Sequence, residues 1–132
     1  MKVQLIDFPE YTFVGEYRGY TKEPDLTLIP MLGPDWDTEA AFPSIVLETG
    51  WTESVEKLRE DVTLWQQGSG GAVRIVFQVK FYPRSYNRIG TRLWINRATP
   101  PTKPFGFVKT KIEEFVSLFP IQITYSITAK TL

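Results

Sequence analysis

Three segments of this chain carry residues whose types and spacing suit chemistry. Asp25 closes Glu23–Pro24–Asp25, and Glu48 closes the apolar run Pro43–Ser44–Ile45–Val46–Leu47–Glu48. A lone carboxylate late in a buried strand is costly unless it is paired or bound to a cation. If the two segments are adjacent strands, Asp25 and Glu48 can share one divalent cation. Magnesium, or manganese in its place, takes one or two carboxylates and keeps several waters, which suits a phosphate substrate completing its shell. A lysine nearby can orient the attacking water and stabilise charge developing on the phosphate. Ser54, Lys57 and Asp61 follow at spacings of three and four residues, which puts them on one helical face. Each residue also has an ordinary reading. Asp25 suits a turn after proline, Glu48 a helix cap or a partner for Arg59, and Ser54 a first helical turn. Lys57 and Asp61 suit a surface ion pair worth about 0.3–0.5 kcal/mol.

Composition narrows the chemistry further. The 132 residues include neither cysteine nor histidine, which excludes thiolate metal sites, imidazole bases and Ser–His–Asp triads. Carboxylates, lysine, arginine, tyrosine and hydroxyls remain. With 42% hydrophobic and 23% charged residues, residues 1–132 are expected to form one packed domain. Residues 1–10 carry Asp7 and Glu10 without an apolar run, so they do not read as a signal peptide. No apolar stretch reaches the roughly 18 residues a membrane span needs. The expectation is an intracellular protein, in cytoplasm or nucleus, without a membrane partner.

The zero net charge conceals an uneven distribution. Residues 1–65 hold 13 acids and five bases, whereas residues 66–112 hold nine bases and no acid. Such a split marks either a polyanion-binding face or two halves that neutralise each other across the fold. Residues 81–88 (FYPRSYNR) interleave arginine with aromatic rings. Arginine forks grip phosphates and tyrosine rings stack on bases, so Lys80, Arg84, Tyr86 and Arg88 are the candidate nucleic-acid contacts. The ordinary alternative is a hairpin with its rings on the sheet and its arginines in solvent.

The elements that must position these residues follow from hydrophobic period. Strands are expected at 11–20, 25–30 and 42–49, with a loop between 31 and 41. A helix follows, capped by Thr52, with Val55, Leu58, Val62 and Trp65 at helical spacing and its end near Gln67. Residues 72–81 (AVRIVFQVKF) form the strongest strand, 92–97 another, 110–118 a short helix and 121–128 a final strand. Trp94, Phe105, Phe107, Phe115 and Phe119 read as core. Strands first and then strand–helix–strand give an α/β domain with a mixed sheet.

An ordered set of these segments resembles the PD-(D/E)XK nuclease superfamily, in particular restriction-endonuclease-like proteins of the bacterial and fungal type. The set is Glu23–Pro24–Asp25, then PSIVLETG at 43–50, WTESVEKLREDVTLW at 51–65 and GSGGAVRIVFQVK at 68–80. It covers roughly residues 22–82, and the likeness weakens towards the C-terminus. The resemblance implies a restriction-endonuclease-like mixed β-sheet flanked by helices in a single compact domain. It also implies Mg²⁺- or Mn²⁺-dependent hydrolysis of phosphodiester bonds in nucleic acid, DNA first, and pairing as a homodimer to cut two strands. By position, Asp25 and Glu48 become the catalytic carboxylates and metal ligands, and Lys57 the lysine that has moved from strand to helix. Gly50 stands where the strand lysine is expected, so Gln78–Lys80 provides an alternative. Glu16 is a candidate for the glutamate the family carries on a leading helix. A catalytically inactive nuclease fold that binds nucleic acid or protein is the rival expectation. A structural α/β module is a third.

Overall fold

Ten strands, one α-helix and one turn of 3₁₀ helix form among residues 2–7, 10–51, 53–84, 88–99, 109–119 and 127–131, which the computed structural model describes. The strands before the helix are β1 (Val3–Asp7), β2 (Tyr11–Thr12), β3 (Thr21–Lys22), β4 (Leu26–Leu32), β5 (Thr38–Glu39) and β6 (Ile45–Gly50). Helix α1 (Val55–Gly68) precedes β7 (Ile75–Arg84), β8 (Arg88–Thr99), β9 (Lys109–Phe119) and β10 (Ile127–Thr131). Seven strands bond in the order β1-β4-β6-β7-β8-β9-β10, β5 adds to β4, and β2–β3 is a separate ribbon. Among the described strands only β6 and β7 pair in parallel, and α1 is the crossover such a pair requires. The domain is therefore mixed α/β, with a single helix among the described residues in place of the several expected.

Helix α1 forms where the apolar period requires it. Ser54, with extended backbone, caps it by accepting a hydrogen bond from the Lys57 amide at 3.1 Å. The expected cap, Thr52, lies outside the described residues. Leu58, Asp61, Val62 and Trp65 are buried along one stripe. Trp65 meets Phe13 edge-on at 5.1 Å and Tyr11 at 5.8 Å, and these rings join Ile29, Met31, Val46, Val73 and Val76 in the core. A side-chain carbon added to Gly68 would lie 2.8 Å from the Phe13 ring, so glycine lets the helix end close on that ring.

Three sequence expectations need correction. Residues 11–20 are not one strand: Gly15 takes φ 65°, a 3₁₀ turn follows at Gly15–Tyr17, and β3 folds back on β2. Residues 110–118 are not a helix but most of β9, which pairs with β8 from Ile89↔Phe119 to Thr99↔Lys109. Ile112, Phe115, Val116 and Phe119 have helical spacing, yet β-branched and aromatic residues suit a sheet, and the ladder with β8 overrides the period. Residues 31–41, expected as loop, include the tail of β4 and the short β5. Of the final strand expected at 121–128, only residues 127 and 128 fall in β10 (Ile127–Thr131), while residues 121–126, Phe105 and Phe107 lie outside the described residues. Trp94 is core, Phe115 is half-buried, and the side chain of Phe119 is outside the described set.

Candidate functional site

The site is built on the face of the sheet that α1 covers. Alternation along β6 and β7 sends Val46, Glu48, Val76 and Gln78 to the buried side. Parallel register sets Glu48 beside Gln78 and Gly50 beside Lys80. Trp94 and Asn96 on β8 continue the same side, opposite Gln78 and Val76.

Glu48 is 8% exposed and Asp61 4% exposed, and both turn towards one ammonium. Lys22 Nζ lies 3.4 Å from Glu48 Oε2 and 3.2 Å from Asp61 Oδ2. Lys57 Nζ approaches the other oxygen of Asp61 at 3.2 Å. Two cations therefore balance two anions. Trp65 Nε1–H donates to Glu48 Oε1 at 2.8 Å, so the residue that anchors the helix also holds the carboxylate. Burial pushes the Glu48 carboxyl up to about 7, against the pull of Lys22 and of the Trp65 hydrogen bond. Burial acts to lower the pKa of Lys22, but its two carboxylate partners outweigh that effect and raise it. Lys22 reaches the site because β3 pairs Lys22 with Tyr11, which packs on Trp65.

Asp25 stands in the bend just before β4, not on a strand as expected, and β4 is the antiparallel neighbour of β6, with Leu26 paired to Leu47. The carboxylates of Asp25 and Glu48 have separate partners. Asp25 Oδ2 accepts from the Thr49 amide at 2.6 Å and from its hydroxyl at 2.8 Å. Among the described residues, no three acidic side chains gather as a metal site. The two carboxylates that do converge on one cationic point are Glu48 and Asp61. Hard oxygen donors around such a point fit a magnesium-type ion, provided that Lys22 withdraws.

Lys57 is more than half exposed and serves Asp61, the ion pair that its spacing anticipates. Lys80 Nζ donates to the Glu53 carbonyl at the entry to α1. Arg84 and Arg88 are register partners flanking the tip of the β7–β8 hairpin. Their side chains and all of Tyr86 lie outside the described residues. Three of the five observed ion pairs lie within residues 1–65, and the other two join Arg92 to Glu114 at 3.8 Å and Arg97 to Glu113 at 3.4 Å, just beyond the acid-free stretch. Among the described residues, none joins an acid of residues 1–65 to a base of residues 66–112.

Sequence reasoning missed Lys22 and gave Asp61 only a surface role. Asp61 was detectable, because it falls between Leu58 and Val62 on the apolar stripe. Lys22 follows a turn and carries no such signal. No family model, curated protein or solved structure matches the chain.

Proposed function

We propose that this protein is a metal-dependent nuclease of restriction-endonuclease-like fold that hydrolyses phosphodiester bonds in nucleic acid. The observation that carries this reading is the convergence of two buried carboxylates, Glu48 and Asp61, on one cationic point. That point lies near the carboxyl end of β6, where open α/β sheets place their ligands. Glu48 and Asp61 would hold a magnesium-type ion, with Asp25 at the head of the adjacent strand as a further oxygen donor. Such an ion supplies Lewis-acid polarisation of the phosphate and lowers the pKa of a bound water. Lys80, beside Gly50 in the β6–β7 register, would orient that water, and Lys57 is the second candidate. Arg84, Tyr86 and Arg88 at the hairpin would grip the backbone. Among the described residues, no ion pair joins residues 1–65 to residues 66–112, although Arg92 and Arg97 pair with Glu114 and Glu113.

A second reading rests on Lys22. Its ammonium already satisfies both carboxylates, as expected of an inactive nuclease fold retained to bind nucleic acid or protein. Plasmid and oligonucleotide cleavage in Mg²⁺ or Mn²⁺, with Glu48→Ala as control, separates the two. Cleavage lost in Glu48→Ala supports the nuclease. Binding without cleavage supports the second reading, and neither binding nor cleavage overturns both.

A further inference from the structure

We infer that the face of the sheet opposite α1 is an interface, and that its occupant is the same face of a second copy of this chain. Strand alternation sends one set of side chains towards α1 and the other set away from it. Across the sheet, the second set aligns in register as Leu26–Leu47–Phe77–Ile95, with Val79–Leu93–Phe115 as the next row. All of these stay half-buried, whereas Val46 and Val76, which point the other way, are 0% exposed. At one margin Leu5, paired with Leu28, is 58% exposed. At one end Trp51 is 56% exposed and stacks on Phe81 with ring centroids 5.0 Å apart.

A sheet with one solvated face alternates apolar residues with polar ones. From Ile45 to Leu47 and from Ile75 to Phe81, the positions turned away from α1 are apolar instead. The described helix and the β2–β3 ribbon both pack on the other side, where Trp65 meets Tyr11. Among the described residues, no helix or ribbon lies over the Leu47–Phe77 side. Monomeric proteins rarely leave so wide an apolar patch in water.

Size, shape and charge select a second copy as the occupant. The five strands β4, β6, β7, β8 and β9, at about 4.8 Å spacing and about 3.3 Å rise per residue, give the face roughly 500 Å² in plan. Two such faces together reach roughly 1,000 Å², the scale at which an interface is specific rather than a chance contact. A twisted sheet packs well against one of equal twist, as in aligned sandwiches, and an identical copy supplies it. Arg97 and Glu113, charged residues on this side, pair with each other at 3.4 Å, so the apolar centre offers a polyanion no charge. Trp51 is the kind of exposed aromatic anchor on which such contacts concentrate. The contact is two-fold and closed, so it ends at a dimer. Glu48 and Asp61 stay on the outer side of each copy, and the inference therefore stands apart from the nuclease reading.

Sedimentation velocity of the full chain at micromolar concentrations should give a species of twice the 15.2 kDa of one chain. Ile95→Lys puts a charge on the face directly opposite Glu113 in the β8–β9 register, where a folded monomer accommodates it as a cross-strand pair. It should raise the dimer dissociation constant about a hundredfold or more, the scale of burying a charge in an interface. Trp51→Ser, at an exposed position, should raise it about tenfold or more. Circular dichroism checks that each variant is folded. Undiminished dimerisation in folded Ile95→Lys, or in Trp51→Ser if only that variant folds, overturns the inference, as does a native protein that sediments as a monomer. A native monomer that binds the apolar dye ANS has the face open for a different protein, and one that excludes the dye has it covered by its own chain. Either result removes the second copy as the occupant.

Discussion

Lys80 on β7 stands directly beside Gly50 on β6, on the same face as Glu48 two residues earlier. The position where a strand lysine is expected is thus empty on one strand, and its neighbour carries the lysine. Lys80 now donates to the Glu53 carbonyl, whereas Lys57 is committed to Asp61.

Lys80→Ala is therefore expected to reduce cleavage about 10²-fold or more, the scale of losing one preorganised donor, while metal binding persists. Lys57→Ala should reduce it less, because that ammonium is exposed and acts on Asp61. Single-turnover rates on one oligonucleotide decide between them. A dead Lys57→Ala beside an active Lys80→Ala would return the role to the helix.

Gly50→Lys restores a lysine to the β6 position. An added side-chain carbon there meets the far end of the flexible Glu53 carboxylate, which can swing away. The variant should fold with a melting temperature close to that of the native protein and should rescue Lys80→Ala at least partly. Failure to rescue in a folded double variant would show that Lys80 acts by holding the entry to α1.

Glu48 predicts a pH signature with a definite sign. Its folded pKa of about 7 lies above the ordinary 4.5, so the protonated form is the one that folding favours. Its contribution is fully present below pH 4.5 and is lost as pH rises through about 7. Relative to Glu48→Gln, the native protein should lose on the order of 3 kcal/mol between those limits. Denaturant melts of both proteins at several pH values measure this difference. A difference that stays flat, or that grows in the native protein's favour, would show that Lys22 keeps Glu48 ionised throughout.

Lys22→Met removes the cation from between two buried carboxylates. An unpaired buried charge typically costs about 3–5 kcal/mol, so the metal-free variant should be strongly destabilised. The same variant should gain more thermal stability from Mg²⁺ than the native protein does, since no ammonium competes for the site. Thermal melts with and without Mg²⁺ test both effects. Equal destabilisation with no Mg²⁺ response would make the network purely structural.

The parts of this site that local pattern controls were legible in the sequence. β6 and α1 read out because Ile45, Val46 and Leu47 run continuously and Leu58, Val62 and Trp65 recur at helical spacing. The adjacency of β4 and β6 also held, although Asp25 falls in the bend just before β4. What failed depended on long-range pairing. β9 carries a helical period that only its ladder with β8 overrides. Lys22 enters the site through a two-residue ribbon whose pairing with Tyr11 leaves no periodic trace.

The most direct measurement follows the Trp65 indole N–H, which donates to Glu48 Oε1 and so reports on that carboxylate. Substoichiometric Mn²⁺ should broaden this resonance selectively in the native protein, with no such selective effect in Glu48→Gln. Excess Mg²⁺ should restore it by competition. An indole resonance that stays sharp in Mn²⁺ while Lys22 remains paired with Glu48 and Asp61 would contradict a metal site here.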